Sequence, residues 1–106
     1  MGIASYATFN IGQLVSHKLF SYRGVIIDID PIFMLSEQWY EQVAQSRPPK
    51  DAPWYRVLVD GTETETYVAQ QNLSPDREKT AINHPHIDEY FVALIDGVYK
   101  RRQSGH

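Results

Sequence analysis

Tyr22-Arg-Gly-Val-Ile-Ile-Asp-Ile-Asp-Pro31 decides the fold. Val25, Ile27 and Ile29 alternate with Ile26, Asp28 and Asp30, the period of two that belongs to a strand, and the β-branched residues suit a pleated surface. The reading puts the first three residues on one apolar face and ends the other face in two acids. Pro31 has no N–H to donate and stops the ladder. Upstream, Phe9-Asn-Ile-Gly-Gln-Leu-Val-Ser-His17 predicts a short strand over Gln13 to His17, with Gly12 in a turn of positive φ. Downstream, Trp54-Tyr-Arg-Val-Leu-Val59 predicts another strand. Asp60-Gly61 predicts a tight hairpin with both residues at positive φ, and Thr62 to Val68 predicts the return strand. In that strand Glu63 and Glu65 would keep an exposed edge soluble.

The stretch from 36 to 53 has a different character. Ser36 can cap a helix over Glu37 to Gln45, and Arg47-Pro-Pro-Lys-Asp-Ala-Pro53 cannot continue it. A loop this long is often functional. Trp39 and Tyr40 lie in it and either fold back over the core or face a partner. Gln71 to Pro75 reads as a turn leaving the sheet. Ile87, Tyr90, Phe91, Leu94 and Ile95 are spaced as one face of a helix, and Val98-Tyr99 after Gly97 is a last short strand. These elements predict a mainly all-β protein, a small SH3-like antiparallel β-barrel with one long loop and a short C-terminal helical segment. A chain of 106 residues allows one domain. We expect its core over residues 9–99, the loop over 36–53 and a flexible tail over 100–106.

Composition excludes several classes of function. The chain has no cysteine, which removes disulfide scaffolds, cysteine-ligated zinc and cysteine nucleophiles. It lacks an apolar run of about 20 residues, the length that spans a bilayer. The N-terminus does not read as a signal peptide, and Met1-Gly2 followed by Tyr6 departs from the myristoylation pattern. A cytoplasmic protein without membrane contact is expected. With 13 acids and 10 bases the net charge is −3. Lys100, Arg101 and Arg102 lie in the last ten residues without an acid, so residues 1–96 carry 7 bases, 13 acids and a net charge of −6. Such a body repels phosphate backbones, and nucleic-acid contact would need a local patch: Lys18, Arg23 and the Lys100–Arg102 tail.

Reactive constellations are weak. Asp28 and Asp30 could hold a cation or flank a scissile bond, but they also suit the solvent side of a strand end. His84 and His86 lack the third and fourth ligands of a zinc site, since only His17 and acids at unknown distance remain. There is no triad, nucleophile elbow or glycine-rich phosphate loop. We expect a binding module, not an enzyme, with no metal and no cofactor. Trp39, Tyr40, Trp54 and Tyr55 are the candidate partner contacts, although Trp54 suits the barrel interior better.

Three stretches together carry a family pattern: residues 9–31, Ala52-Pro-Trp-Tyr-Arg-Val-Leu-Val59, and Glu65-Thr-Tyr-Val-Ala69. They resemble the heat-shock protein HspQ family, also described as hemimethylated-DNA-binding or YccV-like domains. Gly12, Tyr22, Arg23, Gly24, Asp28, Asp30, Pro31, Pro53, Trp54, Tyr55 and Tyr67 carry the match. The resemblance implies an SH3-like barrel and no catalytic residue. It also implies a stress-response link to the Lon protease and its clients, including the replication initiator DnaA, and binding of hemimethylated DNA near the replication origin. Some members are trimers, so a homo-oligomer is implied, and related domains occur attached to protease adaptors and F-box proteins. The chain departs from the pattern over residues 33–51 and after position 75.

Overall fold

The computed structural model describes residues 6–44 and 46–103. Among the described residues seven strands form, all antiparallel: β1 (Leu14–His17), β2 (Arg23–Asp30), β3 (Trp54–Val59), β4 (Glu65–Ala69), β5 (Leu73–Pro75), β6 (Phe91–Ile95) and β7 (Val98–Arg101). The first five make one sheet in the order β4-β3-β2-β1-β5, and β6 and β7 make a separate ribbon. A bridge between Gln13 and Val98 ties the ribbon to the sheet. Among the described residues three short helical segments complete the fold: α1 (Glu37–Val43), a 3-10 turn (Gln70–Asn72) and a single turn, α2 (Ile87–Tyr90).

The central strand β2 is apolar on both faces, because each face has a cover. Val15, Ile26, Tyr55, Val57, Val68 and Leu73 close on Phe9 inside the bend of the sheet. Leu14, Val25, Ile27 and Leu58 face outward from the bend, where Ile82, Phe91 and Tyr99 cover them. Strict alternation over Val25, Ile27 and Ile29 does not hold. The pairing of β2 with β3 steps from Ile26↔Val57 to Asp28↔Arg56, leaving Ile27 as an extra residue. That bulge shifts the phase by one, so Ile29 packs with the Ile26 cluster and not with Val25 and Ile27.

Gly12 sits at φ +92, and a Cβ there would meet the Tyr99 carbonyl oxygen at 2.2 Å. The residue therefore has two reasons to be glycine: its backbone is left-handed, and β7 runs against it through the Tyr99 N–H to Gly12 carbonyl bond of 2.9 Å.

Several expectations change. The helical spacing over 87–95 yields only the one turn of α2, and Phe91–Ile95 is a strand. The reason is the turn that follows. Asp96 and Gly97 have φ of +52 and +77, as a two-residue type I′ turn requires, and Ile95 pairs with Val98 across it. Once that turn forms, the β-branched residues Val92, Ile95 and Val98 zip into a ribbon. Asp60-Gly61, by contrast, lies in a longer connection in which only Gly61 has positive φ; the return strand starts at Glu65, not Thr62. Second, Leu73–Pro75 is not a departing turn but an edge strand paired with β1, a place where proline is tolerated. Third, Lys100 and Arg101 belong to β7, with Arg101 opposite Phe91, and are not a frayed tail. Residues 104–106 of that expected tail lie outside the described residues, as do Met1-Gly2 and Gln45, the expected end of α1.

Candidate functional site

Ser36 fixes the start of α1, its Oγ accepting the Trp39 N–H at 3.0 Å. The helix thereby presents Trp39 and Tyr40 toward the outer surface of β3 and β4. The Tyr40 hydroxyl donates to the Pro48 carbonyl at 2.7 Å, and Trp54 Nε1 donates to the Pro49 carbonyl at 3.0 Å. The proline-rich loop is thus the acceptor for two ring donors, and both rings stay in place without unpaired polar atoms. Phe33 is the hub, with its ring centre 5.0 Å from Trp54, 5.4 Å from Tyr40 and 5.8 Å from Trp39. Tyr67 lies stacked on Trp54 at 5.2 Å.

Polar groups pin this cluster. The Tyr67 hydroxyl donates to Asp30 at 2.6 Å and accepts the Met34 N–H at 3.1 Å. Burial, then the adjacent Asp30 carboxylate, pushes the Tyr67 hydroxyl well above the usual tyrosine range, so it remains a proton donor. The Arg56 guanidinium lies 5.3 Å from the Tyr67 ring centre and within 4.0 Å of both Asp28 and Glu65.

Beside the aromatic cluster lies an open cleft of about 670 Å³. Trp39 and Val43 of α1 form one wall, Leu19 and Phe20 of the β1–β2 turn another, and β4 runs along it. Leu19 and Phe20 are 57% and 67% exposed, unusual for large apolar side chains in a turn. His17 shapes that turn. Its Nδ1 accepts the N–H groups of Leu19 and Phe20, each at 3.1 Å, and its ring stacks on Phe20 at 4.7 Å.

Protonation of His17 Nδ1 would remove both acceptor bonds, and burial already lowers its pKa from the ordinary value. A folded-state pKa below the unfolded one means that the contribution is complete above the unfolded value of about 6.5 and lost as pH falls through it toward the folded value. The urea midpoint is expected to drop between pH 7 and pH 5, and the share due to His17 is expected to vanish in His17→Phe. Equal pH slopes in the two proteins would refute this.

The structure distributes the candidate residues unevenly. Trp54 and Tyr55 are 1% and 0% exposed, inside the fold, and Tyr40 is buried as well. Of the four, the half-buried Trp39 and the buried Trp54 line the cleft, and Tyr40 and Tyr55 do not. Arg23 is committed elsewhere: its guanidinium meets Asp76 at 3.0 Å and Asp60 at 3.4 Å and donates to the Thr80 carbonyl at 2.7 Å. Lys18, Lys100, Arg101 and Arg102 are exposed and meet no carboxylate among the described residues. Asp28 is engaged by Arg56, and Asp30 by Tyr67. His84 is buried with Nε2 on the Thr64 carbonyl at 2.9 Å, while His86 pairs with Glu89. Among the described residues no three His, Asp or Glu side chains converge on one point.

Sequence reasoning missed Leu19, Phe20, Val43 and Phe33. The signal for the first two was available: adjacent large apolar residues in a turn have no core to enter.

Among the described residues no helix is long and apolar enough to cross a membrane. The family model described as hemimethylated DNA-binding protein YccV like matches residues 7–97. That match takes in all of the sheet and the aromatic cluster, and the chain belongs to the YccV-like family.

Proposed function

We propose that this protein is a non-catalytic, stress-responsive binding module that tunes the degradation of client proteins by the Lon protease. One observation carries the reading toward protein partners. The cleft is walled by aromatic and aliphatic side chains, and the charges at its edge are held in an ion pair between Arg56 and Glu65. The link to Lon and to clients such as DnaA comes from the family resemblance. The test is degradation of a Lon client in vitro with and without this protein over a wide concentration range. Acceleration that depends on its concentration is expected, and unchanged rates would end the reading.

A second reading, binding of hemimethylated DNA, has a separate support. Lys100 and Arg101 lie on β7, Arg102 follows, and the Lys79 side chain packs against Gly97 at the turn of the same ribbon. The exposed Val92 and Val98 beside them offer apolar groups that a major-groove methyl could meet. Phosphate contact through this ribbon predicts an affinity that falls steeply with salt, by about one log unit per log of salt for each phosphate engaged. No binding to a hemimethylated duplex at about 50 mM salt would exclude it.

A further inference from the structure

We propose that the cleft takes an extended polypeptide segment that adds as a strand to β4, seating a large apolar side chain between Phe20 and Trp39 and a basic residue beside Glu65. Hydrogen-bond phase decides which backbone groups of β4 are left open. Strand β4 is the terminal strand of its sheet. Val59 N–H bonds the Thr64 carbonyl at 3.1 Å and Gln70 N–H bonds the Pro53 carbonyl at 3.0 Å. In an antiparallel pair these bonds recur at every second residue, so Thr66 and Val68 face β3 with their backbone groups. Glu65 and Tyr67 therefore turn their N–H and C=O groups away from β3, and those groups meet no partner among the described residues.

An unpaired edge is a template for a further strand, and proteins normally cover or blunt it. Here the edge opens onto the cleft: Glu65, Thr66, Tyr67, Val68 and Ala69 all line it. Residues from both faces of β4 line the same space, Thr66 and Val68 of the inner face and Glu65 and Tyr67 of the outer. A cleft centred on a strand edge has that property. The exposed apolar pair Leu19 and Phe20 lines the same cleft as Trp39 and Val43. A new strand would present alternate side chains to this gap, the geometry of strand addition.

Charge selects the occupant. Glu65 sits at the start of the edge, and Arg56, 4.0 Å from it, is also 3.9 Å from Asp28, so two carboxylates share one guanidinium and the local charge stays negative. An added segment carrying Lys or Arg at that end meets a carboxylate, and one carrying Asp or Glu meets repulsion. An open strand edge pairs with an extended segment, so the partner chemistry is an unfolded or locally extended chain. The inference rests on the reading of the cleft as a protein-contact surface and is independent of which protease receives the client.

The probe is a short synthetic peptide of alternating Val and Thr with a central Leu and one flanking Lys, soluble and extended. Titration into the full-length protein is followed by amide chemical shifts. Binding is expected, with the largest shifts at the Glu65 and Tyr67 amides. N-methylation of the peptide amide facing Tyr67 leaves the side chains intact and removes one backbone bond, and is expected to weaken binding about tenfold. Phe20→Ser is expected to weaken it as well, with only a small drop in the urea midpoint, because Phe20 is 67% exposed and its one stacking partner in the turn is His17. Equal binding of the methylated peptide, shifts centred elsewhere, or no binding would each overturn the proposal. If the peptide binds and Lon turnover is unaffected, the edge site stands and the Lon reading falls. If Lon is stimulated without peptide binding, the reverse holds.

Discussion

Arg23→Ala is expected to cost about 3 kcal/mol of stability, the size seen when one partner of a buried ion pair is removed. Asp76 has a side chain only 7% exposed and would be left as an uncompensated buried carboxylate, while the Thr80 and Ala81 carbonyls would each lose a donor. Arg23 ties β2 to the 76–81 segment, which carries the chain from β5 toward Ile82 and the outer core. Lysine cannot span this set, because one ammonium cannot replace the planar fork that reaches Asp60, Asp76 and Thr80 together. The check is a urea titration of both variants at pH 7, with duplex DNA binding measured in parallel. A fully stable Arg23→Ala that loses DNA affinity would show that this residue serves nucleic acid after all. Loss of stability, with the DNA affinity of the folded fraction unchanged, is the expected result.

Trp54→Ala is expected to be larger still, about 4 kcal/mol, as for other fully buried large rings cut to alanine. The ring is 1% exposed and touches Phe33, Trp39, Tyr40 and Tyr67. Its loss leaves a cavity under α1 and an unpaired Pro49 carbonyl. A domain of this size is typically stable by about 5–15 kcal/mol, so the variant would sit near its unfolding midpoint in mild denaturant. Trp54→Phe keeps most of the volume and loses the Nε1 bond, and should cost far less. The chain has two tryptophans, so fluorescence of the Trp54→Ala variant reports Trp39 alone and shows whether the cleft wall stays ordered. A Trp54→Ala protein within 1 kcal/mol of the parent would refute the interior assignment and return this ring to the contact surface.

The two substitutions show where the sequence was legible. Trp54 and Tyr55 stood out as large rings beside Pro53, and composition alone could not separate a core ring from a contact ring. Arg23 stood out as a base in an acidic chain, which suggested phosphate. Its three carboxylate neighbours, Asp60, Asp76 and Glu78, come from residues 37 to 55 positions away and were invisible as a group. The Ser36 cap and the end of β2 before Pro31 are local events, and both read directly. The hairpin at Asp96-Gly97 carried the same dipeptide as Asp60-Gly61, but the apolar spacing from Ile87 to Ile95 pointed to a helix. The competition was settled by pairing of Ile95 with Val98, which a helical period cannot anticipate.

Local chemistry in the sequence determined the strand character of residues 14–17, 23–30 and 54–59, the glycine at position 12, the absence of cysteine chemistry and the membership implied by the motifs around Arg23-Gly-Val-Ile and Pro53-Trp-Tyr. Those properties depend on neighbours within a few residues: β-branching, proline's missing N–H, glycine's freedom at positive φ. The tertiary structure alone decided which rings are buried, which cations are neutralised and which strand is left at the edge. Each of these depends on partners distant in sequence that the sheet brings together, such as Phe33 and Tyr67 around Trp54 or Asp76 beside Arg23, and on a single extra residue at Ile27 that reverses the faces of a strand.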